Sequence, residues 1–281
     1  MKRKLYEAVR QLLRERQERV PLSTTWKKIH SHFDIGVPEG KWLKFDREQR
    51  EILRQQAFMD WGFDPLEGIP DGTRLEVAAQ AIDEKIARQR PDDGYVLIKG
   101  RLPFPLPTLS PELSPELSLR VPLASLNLAA IAQVLVIENL DSFDDWQQYH
   151  APTELNDSLL LYRGHGGWAR GTRRLLASLP TTARVIVFPD YDPAGLFIAA
   201  TLPRADALLI PHLDETLIRK GSREHSGRQY RATRYLDRSE LGNWQDVWEE
   251  MKERGVSIKQ QHMLALGTTL QVVARQADGS R

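Results

Sequence analysis

Four nearly unbroken apolar runs follow one another through the second half of the chain: VLVI (134–137), LLLY (159–162), ARVIVF (183–188) and ADALLI (205–210). A strand solvated on one face alternates apolar and polar residues, whereas a strand buried on both faces reads as a continuous apolar run. Sequence with helix character follows the first three runs: SFDDWQQYH, then residues 168–179, then residues 194–202. The order β-α-β-α-β-α-β predicts an α/β fold, a parallel sheet with helices on both faces. Ligands bind such sheets beyond the carboxyl ends of the strands, so chemistry is sought where these runs end.

The rest of the chain frames that unit. Leu5, Val9, Leu12 and Leu13 predict a helix in residues 2–19, and Ser23 offers an N-cap for a second helix to Phe33. A third helix is expected over 46–61 with Ile52, Leu53 and Phe58 inward. A fourth is expected over 74–88 with Leu75, Val77, Ala78, Ala81, Ile82 and Ile86 on one side, then a strand at 94–100. This is a mainly helical, winged-helix-like domain over 1–100. Residues 101–122, Pro-rich with a tandem SPEL, read as a linker or extended excursion. The catalytic domain is placed at 123–281, with a basic extension after His212, helical segments at 243–254 and 260–275, and a frayed end, ADGSR.

The chain has no cysteine, which rules out disulfides and Cys-based zinc sites. No apolar stretch is long enough for a bilayer span, and the basic N-terminus has no signal-peptide core; the expectation is a cytoplasmic protein without a membrane partner. Net charge is +1, so a nucleic-acid surface has to come from local clusters. Lys2, Lys4, Arg10, Arg14, Lys27 and Lys28 form one set. Arg219, Lys220, Arg223, Arg228, Arg231 and Arg234 form another, interleaved with Tyr230 and Tyr235. A charge run alone is a solvated face; beside a phosphoryl-transfer site it reads as a DNA contact.

Glu138 ends the first apolar run, and Asp190 and Asp192 follow the third. All three belong at one edge of the sheet, and two acids two residues apart in an extended segment point the same way. Clustered carboxylates repel one another unless a cation neutralises them. Mg²⁺ (or Mn²⁺) suits, because it needs few protein carboxylates and completes its shell with water and phosphate oxygens. Each acid alone also has a structural reading. Pro193 suits the first position of a helix, so Asp192 caps it, and Glu138 is a strand end. At the same edge, Arg163, Gly164, His165, Gly166 and Gly167 form a glycine-rich turn before a helix, whose amides would face a phosphate. Its plain alternative is a tight βα turn with a solvated histidine.

VIENLDSF (136–143), YRGHGG (162–167) and FPDYDPAGLFIA (188–199) together resemble the Toprim domain, the Rossmann-like catalytic fold of topoisomerases, primases and several nucleases. More narrowly, they are similar to the nuclease subunit of Wadjet-type bacterial anti-plasmid systems, the JetD or MksG family, related to the A subunit of type IIB topoisomerases. The resemblance covers about residues 133–211. It implies a metal-dependent endonuclease that hydrolyses DNA, with Glu138 as acid/base or shared metal ligand and Asp190 and Asp192 holding the metal. It also implies double-stranded DNA and an SMC-like ATPase/kleisin complex as partners, and it leaves room for a homodimer. One departure stands out: relatives carry a further acid in a late "EQE"-like segment, and Ile258-Lys259-Gln260-Gln261-His262 has none. Glu249, Glu250 and Glu253 are the substitutes at hand, on a helix that otherwise reads as a solvated face.

Other readings stay open. A type IIB-like transesterase needs a tyrosine nucleophile, and only Tyr6 and Tyr95 lie in the N-terminal hundred residues, both in apolar patterns. A dehalogenase-type phosphatase wants Thr where Ala194 stands. A receiver-like domain expects Thr and Lys on later strands, and His212 and Leu213 follow the fourth. No GxxxxGK[ST] is present. The non-enzymatic alternative is a DNA-binding adaptor whose acids only cap helices.

Overall fold

Two separate hydrophobic cores divide the chain, one within Met1–Pro91 and one within Asp92–Arg281. The computed structural model describes residues 2–87, 92–102 and 117–276. The first unit contains α1 (Lys2–Glu15), β1 (Arg19–Pro21), α2 (Thr24–Phe33), β2 (Val37–Glu39), β3 (Trp42–Lys44), α3 (Arg47–Trp61) and α4 (Arg74–Ala78). Its strands pair antiparallel in the order β1-β3-β2. Ser23 caps α2 by accepting from the Trp26 N–H, and Asp46 with Gln49 forms a capping box at α3.

Two expectations for this unit change. The buried stripe of α3 is Leu53, Ala57 and Trp61, while Ile52 and Phe58 are exposed; an i, i+4, i+8 row places them on the opposite side. The fourth helix stops at Ala78, because the Ile82 N–H donates to the Trp61 carbonyl at 3.0 Å and draws the chain off the helical path. Within α4 Val77 is the buried residue while Leu75 and Ala78 are exposed; Ile82, off the helix, is exposed as well, and Glu84–Ile86 forms only a 3-10 turn.

The second unit runs β4 (Tyr95–Gly100), β5 (Leu119–Pro122), β6 (Gln133–Ile137), α5 (Leu140–Asp144), β7 (Leu159–Tyr162), α6 (Gly167–Ser178), β8 (Arg184–Phe188), α7 (Pro193–Thr201), β9 (Ala207–Pro211), α8 (Glu215–Lys220), α9 (Arg223–Gly227), α10 (Tyr230–Leu236), α11 (Trp244–Arg254), α12 (Gln260–Ala265) and β10 (Leu270–Ala274). The strands form one seven-stranded sheet in the order β10-β9-β8-β6-β7-β4-β5. The predicted runs are its centre, β9-β8-β6-β7, all parallel. Consecutive residues along β7 and β9 are all buried, so both faces of the sheet are covered.

The sheet is mixed rather than purely parallel, with antiparallel β10 on one side and β4 and β5 on the other. Strand 94–100, read as part of the first domain, lies between β7 and β5, and the division falls at Pro91/Asp92 because its hydrogen bonds are in this sheet. Within the presumed linker, residues 119–122 are a strand, and 103–116 lie outside the described residues. The segment expected to be helical to residue 275 turns at Gly267, φ +59°, and then pairs with β9 as β10. The expected frayed end, 277–281, also lies outside the described residues. Among the described residues no helix is long and apolar enough to cross a membrane.

Strand order fixes where a site forms. From β6 the chain crosses to β7 on one side, and from β7 it returns past β6 to β8 on the other. The loops that leave β6 and β8 therefore diverge and open a crevice at their carboxyl ends.

Candidate active site

Ile137 stands opposite Phe188, so Glu138 and Asp190 leave neighbouring strands together at that crevice. The ladder extends past the strands: Glu138 N–H donates to Phe188 O at 3.1 Å, and Arg163 N–H donates to Ile137 O at 2.9 Å. Glu138 Oε2 accepts from the Asp190 N–H at 3.2 Å, and the Arg163 guanidinium lies 3.7 Å from Oε1. Burial, then the charge of Asp190, push the Glu138 carboxyl up to about 7, against the pull of Arg163 and the Asp190 N–H.

Asp192 lies deeper. Its side chain is 1% exposed. Oδ1 accepts from Gly195 N–H at 2.8 Å and caps α7, with Pro193 in the first turn. Oδ2 accepts from Ser257 Oγ at 2.6 Å, Gln229 Nε2 at 2.9 Å and Lys259 Nζ at 3.0 Å. Burial pushes this carboxyl up, but those donors and the Lys259 charge outweigh it and hold it below the ordinary aspartate value. Glycine is required at 195, where a Cβ would run into the Asp190 carbonyl.

A segment that the motifs do not mark completes the site. Tyr191 and Ile258 exchange backbone hydrogen bonds of 2.9 and 3.1 Å, which lays residues 257–260 along the Asp190–Asp192 turn. Lys259 Nζ then donates to Asp190 Oδ2 at 2.9 Å as well as to Asp192. Burial opposes its charge, yet the two aspartates raise its pKa above the ordinary lysine value. Gln260 is fully buried. Its N–H donates to Asp190 Oδ1 at 2.9 Å, its Nε2 to Phe188 O at 2.7 Å, and its Oε1 accepts from Asn139 N–H at 3.0 Å. One glutamine thus ties the exits of β6 and β8. Sequence reasoning singled this segment out only for the acid it lacks. Ser257 and Gln229 carried no signal, because their role exists only through long-range contacts.

The other expected residues divide. Arg163 reaches Glu138, and Gly164 is needed at φ +76°, where a Cβ would meet Trp168. His165 is exposed, with Nδ1 3.3 Å from Arg163 Nη2. Gly166 and Gly167 start α6 with no side-chain cap, so its first amides keep no side-chain acceptor. Arg219, Lys220, Arg223, Arg228 and Arg231 are exposed; Arg219 pairs with Glu215 and Arg228 with Glu224. Their link to the site is Gln229, between Arg228 and Tyr230, which also accepts from Ala194 N–H at 2.7 Å. Glu249 bonds Gln245, and Glu250 accepts from Tyr191 OH at 3.3 Å and pairs with Arg254. A cavity of about 790 Å³, lined by Ala132, Gln133 and Leu159 among others, opens at the amino ends of β6 and β7, away from Glu138, Asp190 and Asp192.

The three-acid metal set does not fit as expected. Among the described residues no group of three or more His, Cys, Asp or Glu is arranged to hold a metal ion. Asp192 is shut from solvent and committed to protein donors. Glu138 and Asp190 keep side-chain exposures of 15% and 14% and retain lone pairs. Two hard carboxylates are the protein share that Mg²⁺ ordinarily takes when phosphates and water supply the rest.

A family model described as "Domain of unknown function (DUF7281)" matches residues 91–272, which is the second structural unit almost from its first residue. No curated protein matches the chain.

Proposed function

We propose that this chain, which belongs to the DUF7281 family, is a metal-dependent endonuclease of the Toprim kind that hydrolyses phosphodiester bonds in DNA. The observation that carries the reading is the Glu138–Asp190 pair at the switch point of the sheet, with Glu138 raised to about 7. A carboxyl with that value is divided between its acid and base forms near neutral pH, which suits proton transfer to or from a reacting oxygen. As base it takes a proton from the attacking water; as acid it returns one to the leaving oxygen when the P–O bond breaks. Arg163 stands beside Glu138 and suits a phosphate, and the start of α6, four residues further on, has no side-chain cap. Asp190 would hold the ion, with Glu138 beside it as the proton-transfer group; when bound, the ion would supply Lewis-acid polarisation of phosphate and activation of water. Asp192 holds the turn in place.

The basic face from Arg219 to Arg231, anchored to Asp192 through Gln229, would follow the DNA backbone, and the first unit would be a winged-helix-like DNA-binding domain. The resemblance extends the proposal to an SMC-like ATPase/kleisin complex that presents the DNA, and to a homodimer that cuts both strands. Of the two candidate nucleophiles for transesterification, Tyr6 is disfavoured, being 5% exposed and packed edge-on against Trp61, and Tyr95 is half-buried with the Arg120 guanidinium stacked on its ring.

The test is nicking of supercoiled plasmid with Mg²⁺ or Mn²⁺, alone and with the partner complex. Glu138→Gln and Asp190→Ala are expected to abolish it with the fold intact. Wild-type rates retained in both variants, or a covalent protein–DNA adduct trapped by denaturant, would overturn the proposal. Complete inactivity with partners and metal present would leave the adaptor reading, which Asp192 as a cap favours.

A further inference from the structure

Clustered carboxylates need a counter-charge, and in this site one is already built in. Lys259 Nζ lies 2.9 Å from Asp190 Oδ2 and 3.0 Å from Asp192 Oδ2. The Tyr191–Ile258 bridge brings the lysine there, and the Gln260 N–H on Asp190 Oδ1 fixes the next residue. Asp190 thus has both oxygens engaged by consecutive residues of one segment. A single positive charge between two carboxylates, within hydrogen-bond reach of each, is where a small cation would gain most.

We infer that Lys259 is the resident cation of this site, and that a divalent ion binds only by taking Asp190 from it. This rests on the proposed metal-dependent reading and adds what sets its metal affinity. The exchange leaves the closed half intact: the ammonium releases Asp190 but keeps Asp192, whose Oδ2 it still reaches, and the added ion meets the carboxylates of Asp190 and Glu138. Asp192 then keeps all its donors, and the turn does not have to refold. The Lys259 side chain is 37% exposed, so water can take the place of Asp190 in the ammonium's shell. Metal affinity is therefore set by a competition between Lys259 and the ion for one carboxylate, and the lysine is a positioning residue for the cluster rather than a group that reacts.

The experiment is Mn²⁺ titration followed by calorimetry and thermal shift, on full-length wild type and Lys259→Gln. The expected result is tighter Mn²⁺ binding by the variant, about tenfold or more, as loss of one charge-assisted competitor implies. Adding Asp190→Asn to the variant should remove the gain. A measurement on the wild type itself guards against a misfolded variant: amine acylation read by mass spectrometry, in which Lys259 should label faster once Mn²⁺ is added, with Lys220 as the unchanged control. Equal affinity in wild type and variant, with Lys259 labelling unaltered by bound Mn²⁺, would sink the inference while leaving the metal-dependent reading standing. Absence of Mn²⁺ binding in both proteins would overturn the two together. Binding seen only in Lys259→Gln would support the lysine as resident cation and count against metal dependence of the wild type.

Discussion

In the half of the acidic cluster formed by Glu138 and Asp190, the side chains keep 15% and 14% of their surface. In the half around Asp192 the exposure is 1% and four donors converge on one carboxylate. The two halves meet in a turn only three residues long. What separates them is the neighbourhood: the open half faces the crevice between diverging loops, while the closed half is covered by Ser257, Gln229 and the first turn of α7. A carboxylate with few donors stays open to solvent, and one on which many converge holds structure.

Four substitutions or conditions test that division. The largest effect is expected on the open side. Glu138→Gln should lower cleavage by about 10²–10⁴-fold, the usual share of a general acid/base, with the fold retained and stability in urea at pH 7 no lower than that of the wild type, because the neutral amide escapes the cost of a buried charge. On the closed side the order reverses. Asp192→Ala should cost about 3–5 kcal/mol of stability, because it leaves the Gly195, Ser257 and Gln229 donors without their acceptor and takes one of its two carboxylates from Lys259; urea unfolding measures it, and a loss under 1 kcal/mol would erase the distinction between the halves.

Next in size is a pH effect. Glu138 is raised from 4.5 to about 7, so between those values the folded protein holds a proton that the unfolded chain has released. Stability should therefore fall as pH rises from about 4.5 to 7, by about 3 kcal/mol at most. Asp192, held low, acts in the opposite sense and below that window, its contribution being lost only as pH falls under 3.8. Thermal melts of wild type and Glu138→Gln across pH 4.5–7 check this; parallel curves would refute it. The smallest effect is expected at the seam between the halves. Gln260→Ala leaves the Asn139 N–H unpaired and takes one of its two donors from the Phe188 carbonyl, which keeps the Glu138 N–H, a loss of about 2 kcal/mol in urea unfolding.

Part of this was legible in the sequence. The four apolar runs became the parallel centre of the sheet, and Glu138, Arg163, Asp190 and Asp192 meet at its carboxyl edge. Both results follow from local rules, burial pattern for strands and alternation for topology. Ser23 as a cap was equally local. Where the reading failed, tertiary contacts had overridden periodicity. Leu75 and Ile82 keep a helical spacing, but the Ile82–Trp61 hydrogen bond takes the chain elsewhere. Residues 270–274 were read as helix and became a strand because β9 had a free edge.

The chain's own order of residues determined that acids would gather at one sheet edge, since strand ends are set by where apolar runs stop. It did not determine which acid stays open. That was decided by residues 229 and 257–260, brought to the turn from 37 to 70 positions away. Side-chain patterns report which face a residue takes; they do not report which distant donors will arrive there, and those donors set each carboxylate's charge, exposure and role.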